Sequence, residues 1–388
     1  MTEKVVVLGS GYAGAGVIQS LQRSLDSGQA EVTWVSDVDH HLVLHESHRC
    51  IRDPDVREHV TIPVKDIKSP DVEFVQAAVT GIDCNRRVVE LEDRALDYDY
   101  VLVGIGSQTA FFDIDGLEQH AHTLNCLDDA LTIHDDLERA LEDATPEDPA
   151  QVVVGGAGLS GIQVAGEVAD FRDERDAPVE IRLIEGLDEI FPGNDESVQS
   201  ALRSLLERRD VSITTGEFVD GVDQESVRTA DNREYDYDVL VWTGGIAAHE
   251  EMQDAELEKS KRDLRFETDD RFQTSDERVF AVGDAAVIRQ DEDEHAPPTA
   301  QAAWQAATVA GRNVARAIED KPLKDWTHKD KGTVISVGED AVAHDVYIIP
   351  FVSTFGGLPA RILKKMIAVR WIRDLTDTPT ALSAWSKM

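Results

Sequence analysis

The sequence predicts an α/β fold in which one strand–helix–strand unit occurs twice and a smaller region follows at the C-terminal end. Two glycine motifs, GSGYAG at residues 9–14 and GAGLSG at residues 156–161, each stand between an apolar strand and a helix. Other short apolar strands also end at glycines, as strands of buried parallel sheets do. With 388 residues, 41% of them hydrophobic, the chain can form two or three packed domains.

In the first unit, residues 4–8 form the strand before GSGYAG, and residues 17–25 are expected to be helical. A second strand at residues 31–35 then ends at Ser36 and Asp37. Successive side chains of a strand point to opposite faces, so Ser36 and Asp37 cannot both occupy the position that closes the unit. The acid that closes such a unit is therefore displaced by one residue.

The second unit repeats this plan with a strand at 151–154, a helix at 162–171 and a strand at 181–184 that ends at Glu185. The first glycine of such a motif allows a tight turn, the second lets the backbone approach a pyrophosphate, and the third lets helix and strand pack closely. The helix N-terminus then presents partial positive charge to the phosphates. A tight turn without a ligand is the alternative, but two matching units predict two Rossmann-like dinucleotide-binding domains.

Three further strands end where a backbone can approach a ligand at the carboxyl edge of a sheet. They are residues 100–103, 239–242 and 279–282. The residues that follow them are Gly104, Gly106, Gly244, Gly245, Gly283 and Asp284. After Pro297-Pro298-Thr299, a helix is expected from Ala300 to about residue 318.

Composition limits the partners and the chemistry. The 76 acidic and 38 basic residues give a formal net charge of −38, which predicts adaptation to high salt and argues against nucleic acid as a partner. The three cysteines, Cys50, Cys84 and Cys126, form no CxxC pair, so neither a disulfide framework nor a redox-active dithiol is expected. The first strand begins without a signal peptide before it, which predicts a cytoplasmic protein. The four histidines between His40 and His48 have no recognisable metal-ligand spacing, and no metal is expected.

These motifs, in this order, resemble those of the flavoproteins with two dinucleotide-binding domains. The resemblance is strongest to the type II NADH dehydrogenases, which are single-subunit NADH:quinone oxidoreductases. Residues 298–305 (PTAQAAWQ) resemble the AQxAxQ motif of that family, and residues 331–342 (KGTVISVGEDAV) resemble the strand pair that opens its C-terminal region. The resemblance covers nearly the whole chain.

The resemblance implies FAD and NADH as cofactors and a quinone as electron acceptor. An FAD-binding domain would comprise residues 1–112 and 246–325, with an NADH-binding domain at 113–245 inserted between them. Residues 326–388 would serve dimerisation and membrane attachment, so a homodimer on the inner face of the cell membrane is expected. Hydride would pass from NADH to the flavin, and two electrons would then pass to the quinone.

The resemblance also assigns roles to single residues. Asp284 would bind the ribityl hydroxyls of FAD, and Glu185 would favour NADH because it repels a 2′-phosphate. Gln301 and Gln305 would bond flavin or quinone carbonyls, although two solvent-facing glutamines are the alternative. Gln163 stands where the family carries a glutamate, and an amide cannot carry a proton. By their positions in the family's motifs, the expected catalytic residues are Gln163, Gln301 and Gln305. The expected cofactor-binding residues are Gly9, Gly11, Tyr12, Ala13, Gly14, Ser36, Asp37, Val79, Gly104, Gly106, Gly156, Gly158, Leu159, Ser160, Gly161, Glu185, Gly244, Gly245, Gly283, Asp284, Ala300 and Gln301.

The segment from residue 346 to residue 373 contains no acidic residue. Its basic residues are Arg361, Lys364, Lys365, Arg370 and Arg373, and its apolar face would comprise Leu358, Ile362, Met366 and Val369, followed by Trp371. This pattern is typical of a helix that lies on an anionic membrane surface with its basic side chains snorkelling. The alternative is a helix packed on the flavin domain or on a dimer partner.

Three other functions fit parts of the pattern. A sulfide:quinone oxidoreductase would share the fold and Ser36, but it needs cysteines near the flavin, and none follows Cys126. An NADH-dependent reductase of a small carrier such as ferredoxin would favour a basic docking patch and no membrane helix. A flavoprotein that senses NADH without rapid turnover would show slow reoxidation by every quinone.

Overall fold

The computed structural model describes residues 2–291, 294–347, 349 and 352–385. Residues 348, 350 and 351 of the predicted C-terminal membrane segment lie outside this set. The strands, in chain order, are β1 (Glu3–Leu8), β2 (Ala30–Ser36), β3 (His40–Leu42), β4 (Thr61–Pro63), β5 (Val72–Gln76), β6 (Val79–Asp83), β7 (Val88–Leu91), β8 (Ala95–Asp97), β9 (Tyr100–Val103), β10 (Gln108–Thr109), β11 (Ala150–Gly155), β12 (Val179–Glu185), β13 (Val211–Thr215), β14 (Val219–Val222), β15 (Ser226–Thr229), β16 (Glu234–Asp236), β17 (Val239–Trp242), β18 (Ile246–Ala247), β19 (Phe266–Thr268), β20 (Val279–Ala281), β21 (Ala286–Ile288), β22 (Thr333–Val337), β23 (Asp340–His344) and β24 (Thr354–Gly356).

The helices range from single turns to 19 residues. They are α1 (Tyr12–Ser24), α2 (Leu44–Ser47), α3 (Arg57–Val60), α4 (Val64–Ile67), α5 (Leu117–His120), α6 (Leu127–Ala140), α7 (Leu159–Arg175), α8 (Glu196–Glu207), α9 (Ala300–Ile318), α10 (Leu358–Leu375) and α11 (Thr378–Trp385). The predicted helix starts at residues 17 and 162 were wrong, because α1 and α7 begin directly after Gly11 and Gly158. Each of these glycines is an extended N-cap residue, so the helix begins inside the glycine motif.

Two parallel sheets form the centre of the molecule. The first has the order β20-β9-β1-β2-β5, and the second has the order β13-β12-β11-β17. Strand β20 joins the first sheet although the whole second sheet precedes it in sequence. The central strands are apolar because both faces of each sheet are covered, and residues 5–8 of β1 are all buried. On the first sheet, α1 packs closely against α9.

The C-terminal region packs against both dinucleotide-binding units. Strands β22, β23 and β24 form an antiparallel sheet, and β22 lies on α7. At this contact a Cβ on Gly166 would be 2.5 Å from the backbone nitrogen of Gly338, so only glycine permits the approach. Helix α10 buries Ala360, Ala368 and Trp371 against α1, β22 and β23. The region is thus an integral part of the fold.

Candidate cofactor and active site

The two glycine motifs form hollows of nearly the same geometry, which we call the first cradle (Gly9, Gly11 and Gly14) and the second cradle (Gly156, Gly158 and Gly161). A Cβ built on Gly11 or on Gly158 meets no atom within 4 Å. The backbone there is extended, with φ of −68° and −76°, so the amide groups border open space at a helix N-terminus. This is the arrangement that binds a pyrophosphate.

The outer glycines of the first cradle hold the chain in close contact with itself. Gly9 has φ of +94°, and its Cβ would lie 2.4 Å from the carbonyl oxygen of Gly104. A Cβ on Gly14 would lie 1.8 Å from the carbonyl oxygen of Gly9. The indole nitrogen of Trp34 also donates a hydrogen bond to that oxygen at 2.8 Å. The sequence therefore needs glycine at each position, and Gly104 forms part of the same structure.

The outer glycines of the second cradle repeat these contacts. Gly156 has φ of +89°, and its Cβ would lie 2.8 Å from Cα of Gly244. A Cβ on Gly161 would lie 1.8 Å from the carbonyl oxygen of Gly156. The Thr243 hydroxyl donates to the carbonyl oxygen of Gly156 at 2.9 Å and so fixes the strand end against the turn. Gly244 thus corresponds to Gly104 in the other unit.

The residues that close the two units differ. In the second unit, the buried carboxylate of Glu185 accepts hydrogen bonds from the backbone N–H of Ala157 at 2.8 Å and of Leu187 at 2.9 Å. A carboxylate has about four lone-pair sites, so acceptor capacity remains for ribose hydroxyls. In the first unit, the buried Ser36 hydroxyl donates to the Ser10 hydroxyl at 3.0 Å, whereas Asp37 is exposed. Ser36 therefore occupies the position that Glu185 occupies in the other unit.

The first cradle is completed by chain segments that are distant in sequence. A Cβ on Gly283 would lie 3.0 Å from Cβ of Ala13 and 3.5 Å from Cβ of Ala303, so the starts of α1 and α9 meet at this glycine. Beside it, burial raises the pKa of Asp284, although Arg265 opposes this, and the carboxylate has no hydrogen-bond partner among residues 2–291, 294–347, 349 and 352–385. A partly buried acid without a hydrogen-bond partner among the described residues fits the hydroxyl groups of a sugar-like chain.

Helix α9 begins with a Thr299 side chain that accepts from the Ala302 N–H at 3.2 Å. Gln301 and Gln305 lie one turn apart and touch, with the Gln305 amide donating to Gln301 Oε1 at 3.2 Å. Both also bind a loop backbone: Gln301 Oε1 accepts from the Lys331 N–H at 2.8 Å, and Gln305 donates to the Lys329 carbonyl at 2.9 Å. The two amides fasten this loop to the helix, and their contact with flavin or quinone carbonyls stays a prediction.

The remaining predicted binding residues lie at helix starts and near strand ends. Tyr12 and Ala13 begin α1, and Leu159 and Ser160 begin α7. The others lie near strand ends and at the start of α9: Gly106 with open space at its Cβ, Gly245 against the Phe112 ring, Val79 at the start of β6, and Ala300. Gln163 is buried in the second turn of α7, where it donates to the Ser336 hydroxyl at 3.1 Å. Of the predicted set outside the two motifs, Gly104 and Gly283 contact the first glycine motif directly and Gly244 contacts the second.

The histidine segment, residues 40–48, contacts the first glycine motif at Ser10 and Tyr12. His41 Nδ1 lies 2.7 Å from the Ser10 carbonyl oxygen and therefore donates to it, while His41 Nε2 accepts from the Trp371 indole at 2.7 Å. Burial lowers the pKa of His41 to about 4, so the ring is neutral. His45 bonds the Tyr12 hydroxyl through Nδ1. No group of three or more His, Cys, Asp or Glu residues in the described part of the chain could hold a metal ion.

The three cysteines are free thiols with raised pKa values. Burial raises the thiol pKa of Cys50 to about 12 and that of Cys126 to about 11, and it also raises the pKa of Cys84. None of the three is in a disulfide. Because the thiolate is the reactive form, these side chains are unsuited to disulfide exchange or to attack on sulfur.

The fold and the paired cradles define a scaffold of the kind that binds two dinucleotides, one at the carboxyl edge of each parallel sheet. The chain belongs to the pyridine nucleotide-disulphide oxidoreductase family, whose model matches residues 3–307. The disulphide in the family's description finds no counterpart in the cysteines here, since all three are free.

Individual proteins to which the chain is similar include quinone oxidoreductases. The type II NADH:quinone oxidoreductase of Staphylococcus saprophyticus is 28% identical, and the match covers 96% of this chain and 96% of that protein. A solved structure of NDH2 from Plasmodium falciparum in complex with NADH has a TM-score of 0.84 at 17% identity, covering 100% of this chain and 98% of that one. The sulfide:quinone oxidoreductase of Aquifex aeolicus has a TM-score of 0.80 at 18% identity, covering 97% and 93%. The latter two comparisons show a shared fold.

Proposed function

We propose that this protein is an FAD-dependent oxidoreductase that takes electrons from NADH and delivers them to a quinone. The observation that carries the proposal is the pair of matching open cradles at Gly11 and Gly158, one closed by Ser36 with Asp284 nearby and the other closed by Glu185. The similarity to type II NADH:quinone oxidoreductases over nearly the whole chain supports the same assignment.

The division into domains belongs to this proposal. Residues 1–112 and 246–325 would bind FAD, residues 113–245 would bind NADH, and residues 326–388 would form the C-terminal region. The entry of β20 into the first sheet, after the whole second sheet has been formed by residues 150–242, supports an interrupted first domain.

When bound, FAD supplies the two-electron chemistry that links a nicotinamide hydride donor to a quinone acceptor. The chain's own residues bind and orient the two cofactors. The backbone at Gly11 and at Gly158 would each hold a pyrophosphate, and Asp284 would accept hydrogen bonds from the ribityl hydroxyls. The N-terminus of α9, which meets Gly283 through Ala303, carries partial positive charge that would stabilise negative charge on a reduced flavin bound beside it.

Glu185 selects NADH over NADPH in this proposal. Its two oxygens are already fixed by backbone N–H groups, so the carboxylate cannot swing away from a 2′-phosphate. A phosphate beside a fixed, buried carboxylate would suffer like-charge repulsion that costs several kcal/mol. We therefore expect NADPH to reduce the flavin far more slowly than NADH.

The test of donor identity is anaerobic reduction of the purified flavoprotein, followed by its absorbance, in molar salt. We expect NADH to bleach the flavin, with NADPH slower by at least about tenfold, which corresponds to about 1.4 kcal/mol. Sulfide should leave the flavin oxidised, because Cys50, Cys84 and Cys126 are poor nucleophiles. Bleaching by sulfide and not by NADH would refute the proposal and favour a sulfide:quinone oxidoreductase.

We further propose that the C-terminal region attaches the protein to the inner face of the cell membrane, with two copies forming a dimer. Helix α10 exposes Leu358, Ile362 and Met366 on one face. Leu382 and Trp385 of α11 are also exposed and add apolar surface. Contiguous exposed apolar side chains beside basic ones suit an anionic lipid surface. No described helix is long and apolar enough to cross a bilayer.

Two details of the predicted membrane helix were wrong. Lys364 does not snorkel: it is buried, and its Nζ donates to the His45 carbonyl at 3.1 Å and lies 3.5 Å from Glu46 Oε1. Trp371 is buried too, with its indole bonded to His41. On this face α10 packs against α1, β22 and β23, in line with the alternative of a packed helix, and the membrane proposal concerns the opposite face.

Replacing Ile362 and Met366 by glutamate together should weaken binding to vesicles of anionic lipid by about tenfold or more, because each apolar side chain contributes on the order of 1 kcal/mol when it leaves water. The matched control is Leu264→Glu, since Leu264 and Ile362 are both 42% exposed and Leu264 lies outside the C-terminal region. Co-sedimentation with vesicles measures the effect. Equal binding of all three proteins would contradict attachment through α10.

A further inference from the structure

The first cradle is held in part by the C-terminal helix α10. The contact runs through one buried side chain: His41 Nδ1 lies 2.7 Å from the Ser10 carbonyl oxygen, and the Trp371 indole donates to His41 Nε2 at 2.7 Å. His41 and Trp371 are 0% and 1% exposed, and we call them the His41–Trp371 pair. The pair connects the second residue of the glycine motif to a helix near the other end of the chain.

The neutral state of His41 gives both hydrogen bonds a fixed direction. Burial lowers the pKa of His41 to about 4, so the ring is neutral and carries a single N–H. The Trp371 indole nitrogen can only donate, so it uses the lone pair of His41 Nε2 and leaves the proton on Nδ1. That proton points at the Ser10 carbonyl oxygen. Trp371 thus fixes the tautomer in which His41 donates to Ser10.

The equivalent carbonyl is held in the second cradle too, but by a different kind of donor. Ala157 of GAGLSG corresponds to Ser10 of GSGYAG. Its carbonyl oxygen accepts from the backbone N–H of Phe191 at 2.7 Å, the same distance as at Ser10. Phe191 belongs to the second unit itself. The recurrence indicates that a cradle needs this carbonyl fixed, and that the first cradle relies on the C-terminal region for it.

The Ser10 carbonyl is important because it shares a peptide group with the Gly11 N–H. No described peptide bond is cis, and in a trans peptide the C=O and the N–H point in opposite directions. The bond from His41 therefore turns the Gly11 N–H away from His41. That N–H has no acceptor in the described part of the chain, and open space lies beside Gly11. It is one of the donors that the first cradle can offer to a pyrophosphate.

Ring packing adds to these hydrogen bonds. The Trp371 ring lies on the ring of Tyr12, which follows Gly11, with centroids 4.9 Å apart. It also contacts the Trp304 ring of α9 at 4.6 Å. The edge of the His41 ring meets Tyr12 at 5.1 Å. Helices α1, α9 and α10 thus meet in one aromatic cluster beside the first glycine motif.

Helix α10 has a second attachment to the same segment. Lys364 Nζ donates to the His45 carbonyl at 3.1 Å, and the His45 ring is hydrogen-bonded to the Tyr12 hydroxyl. Lys364 and Trp371 are about two helical turns apart, so both lie on the buried face of α10. This face therefore holds the segment around His41 at two points, and each point leads to a residue of the glycine motif.

We propose that His41 and Trp371 are positioning residues for FAD: they hold the Ser10–Gly11 peptide so that its N–H faces the pyrophosphate, which makes helix α10 part of the flavin site. The inference rests on the proposed placement of FAD in the first cradle. Neither side chain needs to touch the cofactor, because both act through the peptide. Since coupling between binding events is reciprocal, bound FAD also stabilises the docked position of α10.

The test is titration of flavin-free protein with FAD, followed by the quenching of flavin fluorescence. Trp371→Phe keeps an aromatic ring on Tyr12 but removes the N–H that sets the His41 tautomer, and we expect it to weaken FAD binding by about tenfold. His41→Leu should weaken binding at least as much. His41→Asn, whose side-chain amide can still donate to the Ser10 carbonyl, should stay closer to wild type.

The matched control is Trp242→Phe, which also removes a buried indole. Trp242 ends β17 in the second sheet, and its N–H donates to the Ala110 carbonyl at 2.9 Å. Both tryptophan variants should lower the unfolding temperature of the flavin-free protein by similar amounts, but Trp242→Phe should bind FAD within about twofold of wild type. Equal weakening of FAD binding by both would overturn the proposal in favour of a general loss of stability.

A double variant tests whether the two side chains act in series. If Trp371 acts through His41, adding Trp371→Phe to His41→Leu should change the FAD affinity by less than about twofold. A further loss of about tenfold would show that Trp371 acts independently of His41 and would overturn the proposal. Should His41→Leu fail to fold, the comparison of Trp371→Phe with Trp242→Phe still decides.

Hydrogen exchange tests the reverse coupling and needs no turnover. FAD added to flavin-free wild type should slow amide exchange in α10, this slowing should be smaller in Trp371→Phe, and α8 of the second unit should be unaffected. Unchanged exchange in α10 would overturn the inference. Wild-type FAD affinity in Trp371→Phe would also overturn it and leave the proposed function intact, whereas a Gly11→Val protein that retains FAD would refute the placement of FAD itself.

Discussion

The Gly11→Val variant is expected to fold normally and to purify without flavin. A Cβ at this position meets no protein atom within 4 Å, and the backbone φ of −68° with ψ of −168° suits any residue, so we expect no strain in the apoprotein. Its side chain would fill the space beside the amide groups that we assign to the FAD pyrophosphate. Losing two charge-assisted hydrogen bonds costs about 3–6 kcal/mol, or about 10²- to 10⁴-fold in affinity.

The measurements are the ratio of flavin absorbance to protein, the far-ultraviolet circular dichroism and the unfolding temperature. Circular dichroism should match that of wild-type protein stripped of its flavin. A yellow Gly11→Val protein with full flavin content would show that the first cradle does not hold FAD. The matched control is the same substitution at Gly158, which is the equivalent position of the second unit.

The Gly158→Val variant should have the opposite defect, in that it retains flavin but does not accept electrons from NADH. The geometry at Gly158 matches that at Gly11, with φ of −76° and no atom near the Cβ position, so a valine is again tolerated by the fold. The pyrophosphate of NADH would be displaced, with a loss of affinity of the same order. Reduction by NADH should therefore slow by at least about 100-fold at low donor concentration.

Dithionite provides the control for this second variant, because it reduces flavin without binding to a dinucleotide site. We expect dithionite to bleach Gly158→Val as it bleaches wild type, and a quinone to reoxidise the variant at the wild-type rate. If Gly158→Val lost its flavin while Gly11→Val kept it, the roles of the two cradles would be reversed.

Local sequence patterns predicted the parts of the fold that depend on local geometry. Both glycine motifs have the backbone that their spacing indicates, because each outer glycine is required by a contact within its own strand–helix unit or with the next strand. The α/β fold with two parallel sheets and the helix from Ala300 were predicted correctly. The three strands that end at Gly104, Gly244 and Gly283 were also found within one residue of their predicted bounds.

Features that depend on distant packing could not be predicted. Lys364 was expected to snorkel to an anionic membrane surface because its helix is basic and apolar, but Glu46, the partner that makes its burial possible, lies at the other end of the sequence. The burial of Glu167 could not be predicted from the sequence either, since an acid in the middle of a helix is usually exposed. Its burial results from β22, the 48–52 segment and α7 meeting. Gln163 was noticed only through the family resemblance.

Adaptation to high salt, suggested by the net charge of −38, stays a prediction. So do the dimer, the place of attachment and the contacts of Gln301 and Gln305 with ring carbonyls. In each case the relevant partner is a second molecule, a lipid or a bound ring, and the packing of the chain alone does not specify it.

The most direct test of the central claim is a double-mixing experiment on the wild-type flavoprotein in molar salt without oxygen. NADH first reduces the flavin, and a menaquinone analogue is then added while the flavin absorbance is followed. An NADH:quinone oxidoreductase should recover its oxidised spectrum at a rate that rises with quinone concentration. A reduced flavin that persists with bound NAD, whatever the quinone concentration, would contradict the account and indicate a protein that senses NADH.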